Sequence, residues 1–220
     1  MSNDRLVIAV DGPAGAGKST VAKKVAEILK LEYIDTGAMY RALTLKVIKN
    51  KINSKDTKNI LKLISSTSIY FNDNHIYLDG TKVDREIREN IINNNVSNIA
   101  PIKEVREQMV RMQQQMSEKN NVIMDGRDIG TVVLPNANFK FFVTASIEER
   151  ARRRYKELIE KGEKSISYDQ ILREIEKRDK IDSTRKIAPL KKSIDAYEID
   201  TTNMTIEECV NQIVNIIEGR

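Results

Sequence analysis

Gly12, Gly17, Lys18 and Ser19 stand at the spacing with which a chain binds polyphosphate: a glycine, four residues, then Gly-Lys-Ser. Glycine at 12, 15 and 17 lets successive backbone N–H groups turn inward, and the helix that follows adds its own unpaired donors and positive dipole end. The Lys18 ammonium would reach the outer phosphates as a point charge. The Ser19 hydroxyl is the candidate ligand for a Mg²⁺ that keeps most of its waters. The context the motif requires is present, because the apolar run Leu6 to Val10 precedes it and an amphipathic stretch from about Gly17 to Lys30 follows.

Two further clusters could act on what such a loop holds. Asp125-Gly126-Arg127-Asp128 follows the apolar run Val122-Ile123-Met124, where the ligand crevice of a parallel sheet opens. Arg178, Asp182 and Arg185 fall at i, i+4 and i+7, and on a continuous helix they would share a face. From spacing alone, each cluster reads equally well as a solvated charge run with weak surface pairs.

The elements that must position these residues follow from periodicity. Leu6 to Val10 reads as a buried parallel strand, Leu31 to Asp35 as a second, and Thr36-Gly37 opens a helix carrying Tyr40 and Arg41. Residues 67–83 change pattern, with three short strands separated by turns at Asn72-Asp73-Asn74 and Asp79-Gly80, a small antiparallel meander inserted into the βα series. Helices are expected through Asp84 to Asn98 and Pro101 to Glu118, the proline in a first turn. Phe139 to Val143 is a strand. Ser146-Ile147-Glu148-Glu149 and Ser167-Tyr168-Asp169-Gln170 carry capping-box patterns that start the two helices of a basic hairpin, with Gly162 closing the first. Ala196 to Asp200 is the last strand, and Thr205 to Glu208 caps the terminal helix. The alternation gives an α/β fold: a P-loop-type five-stranded parallel sheet with helices on both faces, plus the helical hairpin and the β insert.

Composition narrows the partners. The 220 residues carry a net charge of +5 with 31% charged residues, basic and acidic types being mixed along the chain. Without a Lys/Arg tract or an aromatic-basic pattern, nucleic acid has no positive motif behind it. Before Asp11 the longest apolar run is Leu6 to Val10, too short for a leader or membrane span, so a cytoplasmic protein with no membrane partner is expected. Cys209 is the only cysteine, at an apolar position of the terminal helix, and His75 the only histidine, which excludes an internal disulfide and a Cys/His metal cluster.

Taken together, DGPAGAGKST at 11–20, IDTGAMYRA at 34–42, DGRDIGTVV at 125–133, ERARRR at 149–154 and RDKIDSTRKIAPL at 178–190 resemble the bacterial cytidylate kinases, nucleoside-monophosphate kinases acting on CMP and dCMP. The resemblance runs over essentially the whole chain. It implies that Gly12, Pro13, Ala14, Gly15, Ala16, Gly17, Lys18, Ser19 and Thr20 bind ATP, joined by Arg150 and Arg154 from a mobile lid that brings Arg153 toward the ATP as well. It places Arg41, Arg127 and Arg185 on the acceptor phosphate, where guanidinium forks suit phosphate oxygens. Ribose contacts fall on Arg178 and Asp182, with Tyr40 and the Thr36 hydroxyl nearby. Cytosine recognition falls on Ser97, Arg106 and Asp128, a carboxylate accepting from the cytosine amino group that uracil lacks. Lys18, Arg127 and Arg185 become the catalytic set, with Mg²⁺ accompanying ATP. Asp125 is open between a water-mediated Mg²⁺ partner and an acid that shapes the crevice.

On this basis the chain is expected to be a monomeric kinase of one domain over 1–220, with ATP and CMP or dCMP as its partners. Its parts would be a core (about 1–60, 101–146 and 186–220), a monophosphate-binding region with the β insert (about 61–100) and a lid hairpin (about 147–185). Arg127→Ala and Arg185→Ala are each expected to cut turnover far more than stability. The rival readings are a kinase for another acceptor, a basic nucleic-acid-binding ATPase, and a GTPase switch, the last because Thr81-Lys82-Val83-Asp84 fits the loose guanine-reading pattern N/T-K-x-D. That match falls in the meander and lacks a DxxG partner.

Overall fold

A computed structural model describes residues 5–160, 162–163 and 166–219. Residues 161, 164 and 165 of the expected hairpin, and 1–4 and 220 of the expected core, lie outside the described residues. The strands are β1 (Val7–Asp11), β2 (Glu32–Asp35), β3 (Ile69–Asn72), β4 (His75–Leu78), β5 (Thr81–Lys82), β6 (Val122–Asp125), β7 (Phe139–Thr144) and β8 (Tyr197–Asp200). The helices are α1 (Lys18–Leu29), α2 (Thr36–Lys49), α3 (Thr57–Ser65), α4 (Asn90–Ile99), α5 (Lys103–Ser117), α6 (Ile147–Glu160), α7 (Tyr168–Thr184) and α8 (Ile206–Glu218). Five strands form one parallel sheet in the order β2-β6-β1-β7-β8, and β3-β4-β5 form a separate antiparallel sheet. The described residues divide into two compact units, 32–122 with Arg5, and 6–31 with those from 123 to 219.

In the second unit, the apolar run of β1 explains its place. Ile8, Ala9 and Val10 are wholly buried, as a strand covered on both faces requires. Parallel pairing sets Val10 opposite Phe141 and Asp11 opposite Phe142, and then Val143 opposite Ile199. α1 packs against α8, whose start is a complete capping box between Thr205 and Glu208. Cys209, on the buried face of α8, is core: burial pushes its thiol up to about 11. α6 and α7 form the expected hairpin around Ala151, Ile171 and Ile175, with Tyr155, Leu158 and Leu172 packed against them.

In the first unit the meander has the expected three strands, with Tyr70 and Tyr77 paired across β3 and β4 and their rings stacked at 5.1 Å. Thr81 and Lys82 of the loose guanine-reading match form β5, and Asp84 is paired with His75, so the residues of that match belong to the meander. Three expectations fail here and at the hairpin. The helix expected over 84–98 is broken: a 3₁₀ turn at Glu86–Arg88 ends at extended Glu89, and α4 begins at Asn90. The break lets Ile87 and Ile92 both reach the interior. Pro101 is not in a first helical turn, because Ile102 stands as an extended N-cap and α5 begins at Lys103. The proline serves the turn closed by Ile102 N–H donating to the Ile99 carbonyl. Among the described residues the reciprocal box forms at Thr205, whereas Ser146 accepts from Glu149 N–H but its own N–H goes to Thr202 and the Glu149 carboxylate goes to Arg152 and Arg153. α3, capped by Asp56 and burying Ile60 and Ile64, is an element the sequence reading did not assign.

Candidate active site

The glycine loop joins β1 to α1 and is held from below as well as by its own turns. A side chain on Gly12 is excluded twice over, by φ +147° and by a Cβ position only 1.9 Å from the Val143 carbonyl oxygen of β7. Gly12→Ala is therefore expected to cost about 3 kcal/mol or more of stability by strain and overlap. A urea melt measures it, and a midpoint equal to that of the parent would contradict this packing. Gly17, at φ +86°, is the N-cap of α1. Arg150 of α6 lies against the loop, donating to the Ala14 carbonyl at 3.1 Å, to the Ala145 carbonyl at 3.0 Å and to Asp179 of α7 at 2.5 Å.

Lys18 is buried at the first position of α1, and its ammonium donates to the Pro13 carbonyl at 2.7 Å. Burial first, and the Arg127 charge second, pull its pKa down from 10.5 to about 7, while Asp125 and Asp11 act the other way. The next residue, Ser19, donates its hydroxyl proton to Asp125 at 2.7 Å. A hydroxyl beside a carboxylate is a hard-oxygen pair that fits a Mg²⁺ held chiefly by water and phosphate oxygens. Among the described residues no three acids, histidines or cysteines are grouped as a closed metal cage.

The Asp125–Asp128 turn and the end of α7 meet in the same unit. Arg127 Nε donates to Asp182 at 2.8 Å, and Arg185 Nη2 lies 3.2 Å from Asp128 Oδ1. Burial alone would raise the Asp182 carboxyl, but Arg127 and Arg178 hold it below the usual carboxylate range. Arg185 is not on the helical face that its spacing implied, since α7 stops at Thr184 and Arg185 is extended at φ −61°, ψ 141°. Its Nε instead donates to the Ala188 carbonyl at 2.5 Å, offered by a left-handed residue with φ +49° just before Pro189. Arg178 is exposed on α7. On α6, Arg153 donates to Thr201, whereas Arg154 pairs with Glu157 at 2.8 Å on a half-exposed face. Of the two expected ATP arginines, then, the structure brings Arg150 to the loop, at the Ala14 carbonyl, and pairs Arg154 with a neighbour on its own helix.

The first unit holds the other expected residues. Asp35 ends β2 and caps α2, accepting from Ala38 N–H at 2.8 Å and from Arg41 Nη2 at 2.9 Å. Arg41 Nε is buried without a hydrogen-bond partner among the described residues, a donor placed for an anion. Thr36 is buried at the start of α2, and one turn on, the Tyr40 ring lies 5.6 Å from the Arg106 guanidinium carbon. Ser97 is exposed on α4.

Two residues escaped the sequence reading. Asp11, the last residue of β1, is buried and accepts from Ile129 N–H at 2.8 Å and Gly130 N–H at 2.7 Å. Lys140 of β7 is buried along its stem and donates to Pro135 and Asp195. The signal for both was a charge inside an otherwise apolar strand, which a central sheet tolerates only when hydrogen-bonded.

A parallel α/β sheet whose first strand enters a glycine loop, with a buried lysine and a serine–carboxylate pair at the following helix, defines a P-loop phosphotransferase. A model of the family described as cytidylate kinase matches residues 8–219, and the chain belongs to that family. It is 57% identical over 211 residues to a cytidylate kinase of Clostridium botulinum, covering 96% of this chain and 97% of that one. It is 53% identical over 212 residues to one of Clostridioides difficile, covering 96% and 98%. A crystal structure of an uncharacterised protein from Eubacterium ventriosum shares the fold at a TM-score of 0.56, over 98% of this chain and 100% of that one, with 13% identity. No helix among the described residues is long and apolar enough to cross a membrane.

Proposed function

We propose that the protein transfers the γ-phosphoryl group of ATP to CMP or dCMP, giving ADP and CDP or dCDP, as a cytoplasmic monomer. The observation that carries this reading is one arrangement in the second unit: buried Lys18 and the Ser19–Asp125 pair, together with the arginine–carboxylate pairs Arg127–Asp182 and Arg185–Asp128. A loop for the donor phosphates and a set of guanidiniums for an acceptor phosphate are what phosphate-to-phosphate transfer needs.

The loop residues Gly12 to Thr20 hold the ATP phosphates, and Lys18 sits on the outer ones. Ser19, with Asp125 beside it, would hold Mg²⁺, which offsets phosphate charge when bound. Arg41, Arg127 and Arg185 bind and orient the acceptor phosphate. Arg178 and Asp182 take the ribose, with Tyr40 and Thr36. Ser97, Arg106 and Asp128 read cytosine. The acceptor oxygen belongs to a phosphate whose second pKa is about 6, so it is already ionised at neutral pH and no general base is required. Catalysis is positioning and charge neutralisation. The α6–α7 hairpin closes over ATP and excludes water as a competing acceptor. Arg154 would reach ATP in that closed arrangement, while Arg150 acts through the loop it supports.

Mg²⁺-dependent ADP release with CMP, dCMP, UMP, AMP and no acceptor tests the reading, each reaction checked for its diphosphate. CMP and dCMP should lead with a silent blank. A different preferred acceptor would remove the base-reading assignment, and equal ATP hydrolysis without acceptor would remove the kinase itself.

A further inference from the structure

Asp128 stands at the N-cap of a short π-helical turn, Ile129–Val133, yet its side chain makes no cap bond. Aspartate is among the residues best suited to cap its own turn, and doing so would engage its carboxylate with the first backbone donors. The first two of those donors are taken by another element. Asp11, at the end of β1 and 118 residues away, accepts from Ile129 N–H through Oδ1 at 2.8 Å, and from Gly130 N–H through Oδ2 at 2.7 Å. The Asp128 carboxylate is turned to Arg185 instead.

We infer that Asp11 is a positioning residue for nucleobase selection: by capping the turn in place of Asp128, it keeps the Asp128 carboxylate directed at the acceptor site and so sets the preference for cytosine over uracil. The inference rests on the reading above in which Asp128 reads the base. Only a carboxylate does this work with one side chain, since two acceptor oxygens meet two amides, whereas asparagine offers one oxygen and an opposing NH₂. The cradle is shaped for it. A Cβ on Gly130 would lie 3.4 Å from Asp11 Oδ2 and 3.1 Å from Lys140 Cδ, so glycine there admits both the carboxylate and the lysine stem. Lys140 closes the far side, its ammonium bound to the Pro135 carbonyl at 2.6 Å and to Asp195 at 2.7 Å. The arrangement carries a cost, because burial pushes the Asp11 carboxyl up to about 6 in spite of its two amide bonds. A cap that served stability alone would be met more cheaply by the uncharged hydroxyl of serine.

In Asp11→Asn one turn amide loses its acceptor and recruits the Asp128 carboxylate. The ratio of kcat/KM for CMP to that for UMP is then expected to fall about tenfold, with KM for ATP changing less than about twofold. In an Asp128→Ala background the same Asp11→Asn change should leave the ratio where Asp128→Ala alone has put it. Asp11→Ser, which removes the buried charge and keeps one acceptor, supplies the same readout if Asp11→Asn does not accumulate folded. A wild-type ratio in either folded variant overturns the inference, as does an effect that adds to that of Asp128→Ala, or a parallel rise in KM for CMP and ATP with the ratio kept. If Asp128→Ala alone keeps the wild-type ratio, the base-reading assignment falls and this inference with it.

Discussion

Lys18→Met is expected to lower turnover with ATP and CMP by about a thousandfold or more while the protein remains folded. The methionine retains the length and apolar stem of a side chain that is 6% exposed, and removes only the ammonium that would meet the transferred phosphoryl group. Stability should move the other way from activity. Because the folded pKa of Lys18 is depressed from 10.5 to about 7, the unfolded chain binds more protons between those values, and the lysine's penalty on folding is greatest below pH 7. It fades as pH rises through that window. Lys18→Met should therefore unfold at a higher temperature than the parent at pH 6.5, with the difference shrinking toward pH 10. Steady-state ADP release and thermal melts at the two pH values check both halves. A folded variant with turnover within about tenfold of the parent would remove Lys18 from the catalytic set.

Arg127→Ala and Arg185→Ala should each cost about a thousandfold in turnover, as loss of a guanidinium at a transferring phosphoryl group does. Their stability costs should differ. Arg127 pairs with Asp182 at 2.8 Å, and Asp182 also has Arg185 at 4.0 Å and the Arg178 charge nearby, so truncation should cost about 1 kcal/mol. Arg185 faces Asp128 where both side chains are under 10% exposed, and its Nε holds the Ala188 turn. Its removal deprives a buried carboxylate of a charged partner and should cost about 3 kcal/mol. Both changes should still lower turnover more than stability, with the smaller margin at Arg185. Arg185→Lys keeps a cation opposite Asp128 but loses the fork, and should recover most of the stability and little of the turnover. Equal melting temperatures for Arg127→Ala and Arg185→Ala, or turnover restored by Arg185→Lys, would contradict these roles.

What the sequence by itself determined is local. The run Leu6 to Val10, the glycines at 12 and 17 and the amphipathic stretch after them specify strand, turn and helix within about two dozen residues, and the loop formed as read. Thr205 to Glu208 likewise contains its whole capping box, and the meander its own turn residues. These signals need only neighbours in the chain. The family motifs implied which residues face the acceptor but not how each is held, and there the tertiary structure decided. Arg150 is aimed by contact with Ala14, 136 residues distant, and Asp11 by amides 118 and 119 residues away. Ser146 lost its box to Thr202, and Arg185 lies beyond the end of α7, its guanidinium held by the Ala188 carbonyl. A charged side chain in a low-dielectric interior must find a partner wherever the fold brings one. Which partner that is depends on register and crossings between distant strands, and no spacing along the chain encodes it.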